Sequence, residues 1–145
     1  MDFDLNDHKV AAFVESDVYA STNLVGRLGG RVDYDLVTGR MNAAPRASLA
    51  CKTGEYSQLS LAYGWFFQQA NAYERLFTKD LKPARADHYI LNFQHIKNKR
   101  SFRSEVYFKD YRNLTKNEVG TAWPTEAFNT TGQGYAYGLD LFFRD

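Results

Sequence analysis

The stretch Ala86–Tyr111, ADHYILNFQHIKNKRSFRSEVYFKDY, decides the fold of this chain. Apolar and polar side chains alternate along its first half, and they alternate again after the polar break Lys97–Arg100. A period of two is typical of a β-strand whose two faces meet different surroundings, and a short polar break between two such runs predicts a hairpin. Each run is about ten residues long. Ordinary strands average about five or six residues, whereas roughly nine to eleven tilted residues cross a bilayer.

The composition excludes a helical membrane protein and leaves a membrane barrel open. The 145 residues are enough for one domain, 44% of them are hydrophobic, and no apolar run approaches the roughly 20 residues of a membrane helix. Aromatic residues make up 16% of the chain, which suits a barrel because barrels carry aromatic girdles at both interfaces. A net charge of +1 gives no reason to expect a nucleic-acid partner. The N-terminal residues are acidic and have no apolar segment, so we do not expect them to act as a signal peptide.

Five further runs alternate with the same period, and no helical period is present: Lys9–Tyr19, Asn23–Asp35, Pro45–Lys52, Tyr56–Gln69 and Gly134–Arg144. Three connections are short, near residues 20, 54 and 98, and three are long: Leu36–Ala44, Ala70–Pro83 and Asn113–Gly132. Short turns at one rim and long loops at the other are typical of outer-membrane barrels, with the short turns in the periplasm. The sequence therefore predicts an all-β, antiparallel up-and-down meander of about seven long strands. We expect residues 1–145 to form a single segment of a transmembrane β-barrel, without a plug domain.

The charged residues indicate which face of the sheet meets lipid. A charge that faces lipid at mid-bilayer costs roughly 2–4 kcal/mol, and the cost fades at the interfaces. Asp110 and His95 are the only titratable side chains assigned to the apolar faces, and both fall near strand ends. Six charged residues of the opposite face are candidates for the lumen: Arg27, Arg31, Asp33, Glu105, Lys109 and Asp140. They either contact a plug or line a path, or they form an ion-pair lattice that merely satisfies a polar wall.

Four residues of the predicted loops are candidates for ligand contact from outside: Arg40, Tyr73, Arg75 and Trp123. Binding residues concentrate on loops, although an ordinary solvated loop has the same composition. No catalytic or metal constellation is present, because His8, His88 and His95 lie on different runs without ligand spacing. Cys51 lies in the apolar register of its run, facing away from Lys52, and belongs to no Cys-x-x-Cys motif, so an inert thiol is expected. We therefore predict no enzyme activity, no metal and no cofactor.

Short motifs recur in order over nearly the whole chain: Ala11–Glu15, Gly30–Tyr34, Pro45–Leu49, Tyr63–Gln68, Leu81–Pro83 with Ala86–Tyr89, Glu105–Leu114 and Gly134–Leu141. In order and spacing they resemble the barrel of TonB-dependent outer-membrane receptors, particularly those of the Bacteroidetes type. Two departures accompany the resemblance. Ala84 stands where the family often has a glutamate after the proline. The plug, the TonB box and the barrel of about 22 strands are also incomplete here.

The resemblance implies a piece of an active-uptake receptor in the bacterial outer membrane, driven by energy that TonB passes on. The partners it implies are outer-membrane lipid, the remainder of the barrel, the plug domain and, through the missing N-terminal part, the TonB complex. Receptors for siderophores, cobalamin, glycans and peptides share this kind of wall, so the ligand stays open. Without the gating parts, the chain alone is expected to transport nothing.

Two other interpretations fit the same alternation. The first is a soluble β-barrel or sandwich that binds a small ligand or a protein. The second is a complete eight-stranded outer-membrane barrel. That barrel needs one more strand, and only the segment Phe3–Leu5 could supply it.

Overall fold

A computed structural model describes residues 8–36, 38–71, 74–75, 78, 81–117 and 128–145. The described residues form a sheet of seven strands: β1 (Lys9–Ser21), β2 (Leu24–Asp35), β3 (Arg40–Gly54), β4 (Ser57–Gln68), β5 (Ala84–Lys97), β6 (Arg100–Asn117) and β7 (Phe128–Arg144). Each strand pairs antiparallel with the next in chain order, and β1 and β7 are the two edges of an open sheet. The predicted up-and-down meander is confirmed. In this part of the chain, no helix has the length and hydropathy needed to cross a membrane.

The three short connections are two-residue turns at one end of the sheet, at residues 22–23, 55–56 and 98–99. In the third turn, Asn98 and Lys99 have φ angles of 50° and 68°. Two consecutive positive φ values are the requirement of a type I′ turn, whose twist matches that of the flanking strands, and asparagine tolerates it well. The polar break Lys97–Arg100 is therefore a tight hairpin turn, as predicted.

The connection between β2 and β3 is much shorter than predicted. We expected a loop over Leu36–Ala44, but β3 begins at Arg40 and the connection is residues 36–39. Pro45 suggested the start of a strand, yet the ladder with β2 runs through it, and Pro45 lies opposite Gly30. Pairing with β4 stops at Arg46, so Pro45 has no β4 partner. Proline is tolerated at such an edge position because it lacks a backbone donor.

The predicted loop Asn113–Gly132 is also too long. Strand β6 continues to Asn117 and β7 begins at Phe128, so the connection is residues 118–127. The ladder between the two strands shifts register twice, between Arg112 and Leu114 and between Leu114 and Lys116. A bulge inserts a residue and breaks the period of two. The alternation that identified the other strands is therefore lost at this end of β6.

The sheet has one apolar and one polar face. A single register row of the apolar face runs through all seven strands: Val18, Gly26, Leu49, Leu61, Leu91, Val106 and Leu139. Along β7, Tyr137, Leu139 and Leu141 are 73%, 60% and 65% exposed. A soluble sandwich would bury such a row between two layers, whereas the described residues form one layer. The described residues therefore do not form a two-layer sandwich, and the proposed extra strand Phe3–Leu5 lies outside them.

Aromatic side chains form a continuous band across β4–β7 on the apolar face. Ring centroids are 4.8 Å apart between Tyr63 and Tyr89, 6.2 Å between Tyr89 and Phe108, and 6.4 Å between Phe108 and Tyr135. Tyr137 continues the band, with its centroid 6.2 Å from that of Tyr135. The band lies toward the end of the sheet opposite the two-residue turns. Amphipathic rings in such a band are typical of a membrane–water interface.

The apolar face carries more charge than predicted. Besides Asp110 and His95, it carries Arg85, Asp87 and Arg112 beyond the aromatic band, because β5 begins at residue 84 and β6 extends past residue 111. We call Arg85, Asp87, Asp110 and Arg112 the apolar-face ion-pair cluster. Nε of Arg85 lies 2.6 Å from Oδ1 of Asp87, and Nη2 of Arg112 lies 2.8 Å from Oδ2 of Asp110. The expectation that Asp110 and His95 stand alone on this face is therefore wrong.

Candidate functional site

All six predicted lumen residues lie on the polar face of the sheet. Arg27, Arg31 and Asp33 follow one another at every second or fourth position of β2. Glu105 on β6 lies directly across from Asp140 on β7, and Asn92 donates a hydrogen bond of 3.2 Å to Oε2 of Glu105. Lys109 lies further along β6, with Nζ 4.8 Å from the ring centroid of Tyr107. Their exposure to a lumen stays a prediction.

Exposed ion pairs occupy the polar face where β1 meets β2. Arg27 makes two contacts with Asp17, Nε to Oδ1 at 2.6 Å and Nη2 to Oδ2 at 3.0 Å, and its Nε lies 3.4 Å from Oε1 of Glu15. Nη2 of Arg31 lies 2.8 Å from Oδ1 of Asp33. Solvated pairs of this kind contribute little to stability. Their effect is to neutralise Arg27 and Arg31 at this part of the face.

Asp35 ties the β4–β5 connection, residues 69–83, to the turn between β2 and β3. The side chain is 2% exposed, and its Oδ1 accepts a hydrogen bond of 3.1 Å from the backbone N–H of Thr38. Its Oδ2 lies 3.8 Å from Nη1 of Arg75 in the connection. The backbone N–H of Gly39, at a φ of 65° that suits glycine, donates to the carbonyl of Asp35 at 2.8 Å. This turn and the connection are therefore anchored on one buried carboxylate.

Helical backbone at residues 74–75 sets the position of Arg75 within the connection. Asn71 Oδ1 accepts from the backbone N–H of Glu74 at 2.9 Å, and Oε2 of Glu74 accepts from the N–H of Asn71 at 3.0 Å. This reciprocal arrangement is a capping box. The N–H of Arg75 donates to the carbonyl of Asn71 at 3.2 Å. Within the described residues, this helical backbone departs from the expectation that no helical period is present.

Two more hydrogen bonds hold the β4–β5 connection over the end of the sheet. The Arg40 guanidinium donates to the carbonyl of Leu81, which is buried. The backbone N–H of Phe128, at the start of β7, donates to Oγ1 of Thr78 at 3.3 Å. The connection therefore touches both β3 and β7. It covers part of the polar face instead of extending away from it.

A cavity of about 580 Å³ lies between the polar face and the β4–β5 connection. Strands β1–β3 contribute mainly charged and polar side chains, β4 contributes three aromatic side chains and a glutamine, and the connection contributes the others. The lining residues are Lys9, Arg31, Asp33, Asp35, Asn42, Ala44 and Arg46 from β1–β3, Trp65, Phe66, Phe67 and Gln68 from β4, and Gln69, Ala70, Asn71 and Arg75 from the connection. Four of these side chains are basic and two are carboxylates. We call this space the connection cavity, and it is the candidate functional site.

Arg46 is an exposed cation at the floor of the connection cavity. Its guanidinium carbon lies 4.8 Å from the ring centroid of Phe66, and the His88 ring lies 4.3 Å from the same ring. Arg46 lies opposite Gly64, and Gly64 lies opposite His88. A Cβ on Gly64 would lie 3.2 Å from Cγ of Arg46, so the glycine makes room for the arginine stem. Sequence reasoning missed Arg46 because nothing in its own strand marks it, although Gly64 indicates a close approach.

The four predicted loop residues differ in where the structure places them. Arg75 lies in the β4–β5 connection and lines the connection cavity. Arg40 is the first residue of β3, so its placement in a loop is wrong, because the ladder with β2 extends to Asp35. Tyr73 and Trp123 lie outside the described residues. Ligand contact by these four residues stays a prediction.

No family model matches this sequence, and no curated protein is significantly similar to it. Solved structures do match its fold. The siderophore receptor PirA from Pseudomonas aeruginosa matches with a TM-score of 0.76 and 16% sequence identity, covering 92% of this chain and 27% of the receptor. PirA from Acinetobacter baumannii gives a TM-score of 0.77 at 17% identity, over 93% of this chain and 25% of the receptor.

The FrpB iron transporter from Neisseria meningitidis, in its F3-3 variant, matches with a TM-score of 0.74 and 12% identity. The match covers 92% of this chain and 22% of the transporter. The chain therefore spans about a quarter of the length of these proteins. Its open seven-stranded sheet has the fold of part of a TonB-dependent receptor barrel, as the resemblance implied. These three matching structures are two siderophore receptors and an iron transporter.

Proposed function

We propose that this chain is part of the barrel wall of a TonB-dependent receptor that takes up a scarce nutrient across the bacterial outer membrane. The apolar face meets lipid, and the polar face meets the lumen. The β4–β5 connection is extracellular, and the two-residue turns are periplasmic. The fold match supports the barrel, and the distribution of charge on the apolar face carries the assignment of its surroundings.

The observation that carries the proposal is the height of the apolar band. By this we mean the length, along the membrane normal, of the apolar face between the charged residues at its two ends. On β5, the apolar side chains Tyr89, Leu91 and Phe93 lie between Asp87 at one end and His95, followed by Lys97, at the other. Ten residue steps separate Asp87 from Lys97. At about 3.3 Å per residue and a tilt of about 40°, these steps span about 25 Å along the membrane normal. Membrane barrels carry an apolar band of about 25 Å between their aromatic girdles.

The sheet edges indicate the partners. An open strand edge in lipid leaves backbone donors and acceptors without hydrogen bonds, which costs several kcal/mol for each group. Further strands must therefore pair with β1 and β7 to close the barrel. In the receptor we propose, a plug domain fills the lumen, and the TonB complex acts on it. Siderophore and iron receptors share the fold, which makes an iron-bearing solute the first candidate to test.

Growth of the host on scarce nutrients tests the uptake function. A strain that lacks the gene encoding this chain and a strain that lacks TonB should show the same growth defect when the same nutrient is limiting. Growth should return to the wild-type level when the gene is restored, and the growth defect should disappear when the nutrient is abundant. If deleting the gene reduces growth in the strain that lacks TonB as much as it does in the wild type, uptake through this barrel does not depend on TonB. That result would contradict the proposal.

A further inference from the structure

We propose that the connection cavity binds a small polyanion, a solute with several carboxylate or phosphate groups, and that Arg46 is its main anchor. The inference rests on the proposed function, because it takes the polar face to be the side on which the solute moves. It deepens that function by naming the chemical class of the solute. The contacts around Arg46 and the charge of the cavity lining carry it.

The charge of the lining favours an anion. Four basic side chains and two carboxylates line the cavity, an excess of two positive charges. Both carboxylates already have partners, since Asp33 pairs with Arg31 at 2.8 Å, and Asp35 accepts from the Thr38 N–H and faces Arg75. The lining therefore offers no carboxylate that is available to bind a cationic solute. A ligand that complements this cavity carries negative charge.

Arg46 is a cation of the lining that has no ion-pair partner among the described residues. The described carboxylates make no ion pair with it, and its contact is the face of the Phe66 ring. Stacking on an aromatic ring fixes the plane of the guanidinium while its N–H donors stay available. A planar guanidinium binds a carboxylate or a phosphate through two parallel hydrogen bonds. Because the side chain is already positioned, it loses little conformational freedom on binding.

The size of the cavity suits a small solute. Its volume of about 580 Å³ lies within the roughly 300–1,000 Å³ of small-molecule sites. A neutral sugar in this space would displace water from Arg46 without supplying a counter-charge, which is unfavourable. An acidic segment of the remaining protein is the other possible occupant, and it would exclude added anions from the cavity.

Calorimetry on the complete protein in detergent micelles at low salt tests the site. The probes are citrate for carboxylates and pyrophosphate for phosphates, with glucose as the neutral control. We expect at least one anion to bind and Arg46→Gln to weaken its binding at least tenfold. Arg46→Lys keeps the charge and should stay within about threefold of the wild type, since lysine replaces a two-point contact with one. Arg103→Gln is the matched control, because Arg103 lies on the same face near the opposite end of β6.

Three results would overturn the proposal: no binding of either anion to the wild type, glucose binding as tightly as the anions, or equal losses in Arg46→Gln and Arg103→Gln. The last result would mean that the bulk charge of the lumen attracts anions and that no site exists. A failure of this kind leaves the barrel proposal standing, because growth that depends on TonB reports on uptake and not on this cavity. Binding of citrate alone or of pyrophosphate alone identifies the chemical group that the site takes.

Discussion

Replacing Leu61 by arginine should destabilise the membrane-embedded fold by about 2–4 kcal/mol, the cost of a charge that faces lipid near mid-bilayer. Leu61 is 54% exposed and lies in the middle of the apolar register row, between Leu49 and Leu91. The free energy of unfolding in phospholipid vesicles, obtained from denaturant titrations followed by the shift of the folded band on gels, measures the effect. A loss of 2–4 kcal/mol corresponds to roughly a thirtyfold to a thousandfold change in the folding equilibrium.

Ser60→Arg is the matched control for Leu61→Arg. Ser60 is the preceding residue of β4 and points to the polar face, where it lies opposite Asn92, which in turn lies opposite Glu105. An arginine there enters a polar row at the same depth, so we expect a change below about 1 kcal/mol. Equal losses for the two arginines would contradict the assignment of the apolar face to lipid.

Asp87→Ala should cost about 3 kcal/mol, because it leaves a largely buried arginine without its counter-ion. Asp87 is 2% exposed, and both its oxygens accept hydrogen bonds from Arg85, at 2.6 Å and 2.8 Å. The Arg85 guanidinium also lies 3.6 Å from the ring centroid of Trp65, so the charge cannot turn to solvent without losing that contact. The free energy of unfolding in the same vesicles measures the loss.

Asp145→Ala is the matched control for Asp87→Ala. Asp145 pairs with Arg100 at 2.5 Å, a distance similar to that of the Arg85–Asp87 pair, but both side chains are about two thirds exposed. An exposed pair contributes less than about 1 kcal/mol, since water and salt screen it. A small and equal effect of both alanine substitutions would mean that the apolar-face ion-pair cluster is fully solvated. The apolar band would then end closer to the two-residue turns than Asp87 does.

The alternation of side chains was sufficient to predict the sheet. A period of two is a property of a single strand, and it survives wherever the ladder is regular, as in the hairpin of β5 and β6. It failed at the bulges near Leu114, which shift the register. It also failed at Pro45, where proline indicated a strand start although the neighbouring ladder with β2 continues.

The connection cavity could not be predicted in the same way, because it depends on contacts between residues far apart in sequence. Arg75 meets Asp35 and Leu81 meets Arg40 only after the β4–β5 connection has folded back over the sheet. The pairing of Arg46 with Gly64 requires the register of β3 with β4, which alternation restricts only to every second residue. The sequence could therefore place Arg46 on the polar face but not in a cavity.

Accessibility of spin labels along β7 tests most directly the claim that the apolar face meets lipid and the polar face meets water. Single cysteines at Tyr137, Leu139 and Leu141 probe one face, cysteines at Ala136 and Asp140 probe the other, and Cys51→Ser supplies the background. In vesicles, labels of the first set should relax mainly with dissolved oxygen, which partitions into lipid, and labels of the second set mainly with a water-soluble nickel complex. The same preference at all five positions, or the reverse alternation, would contradict the account.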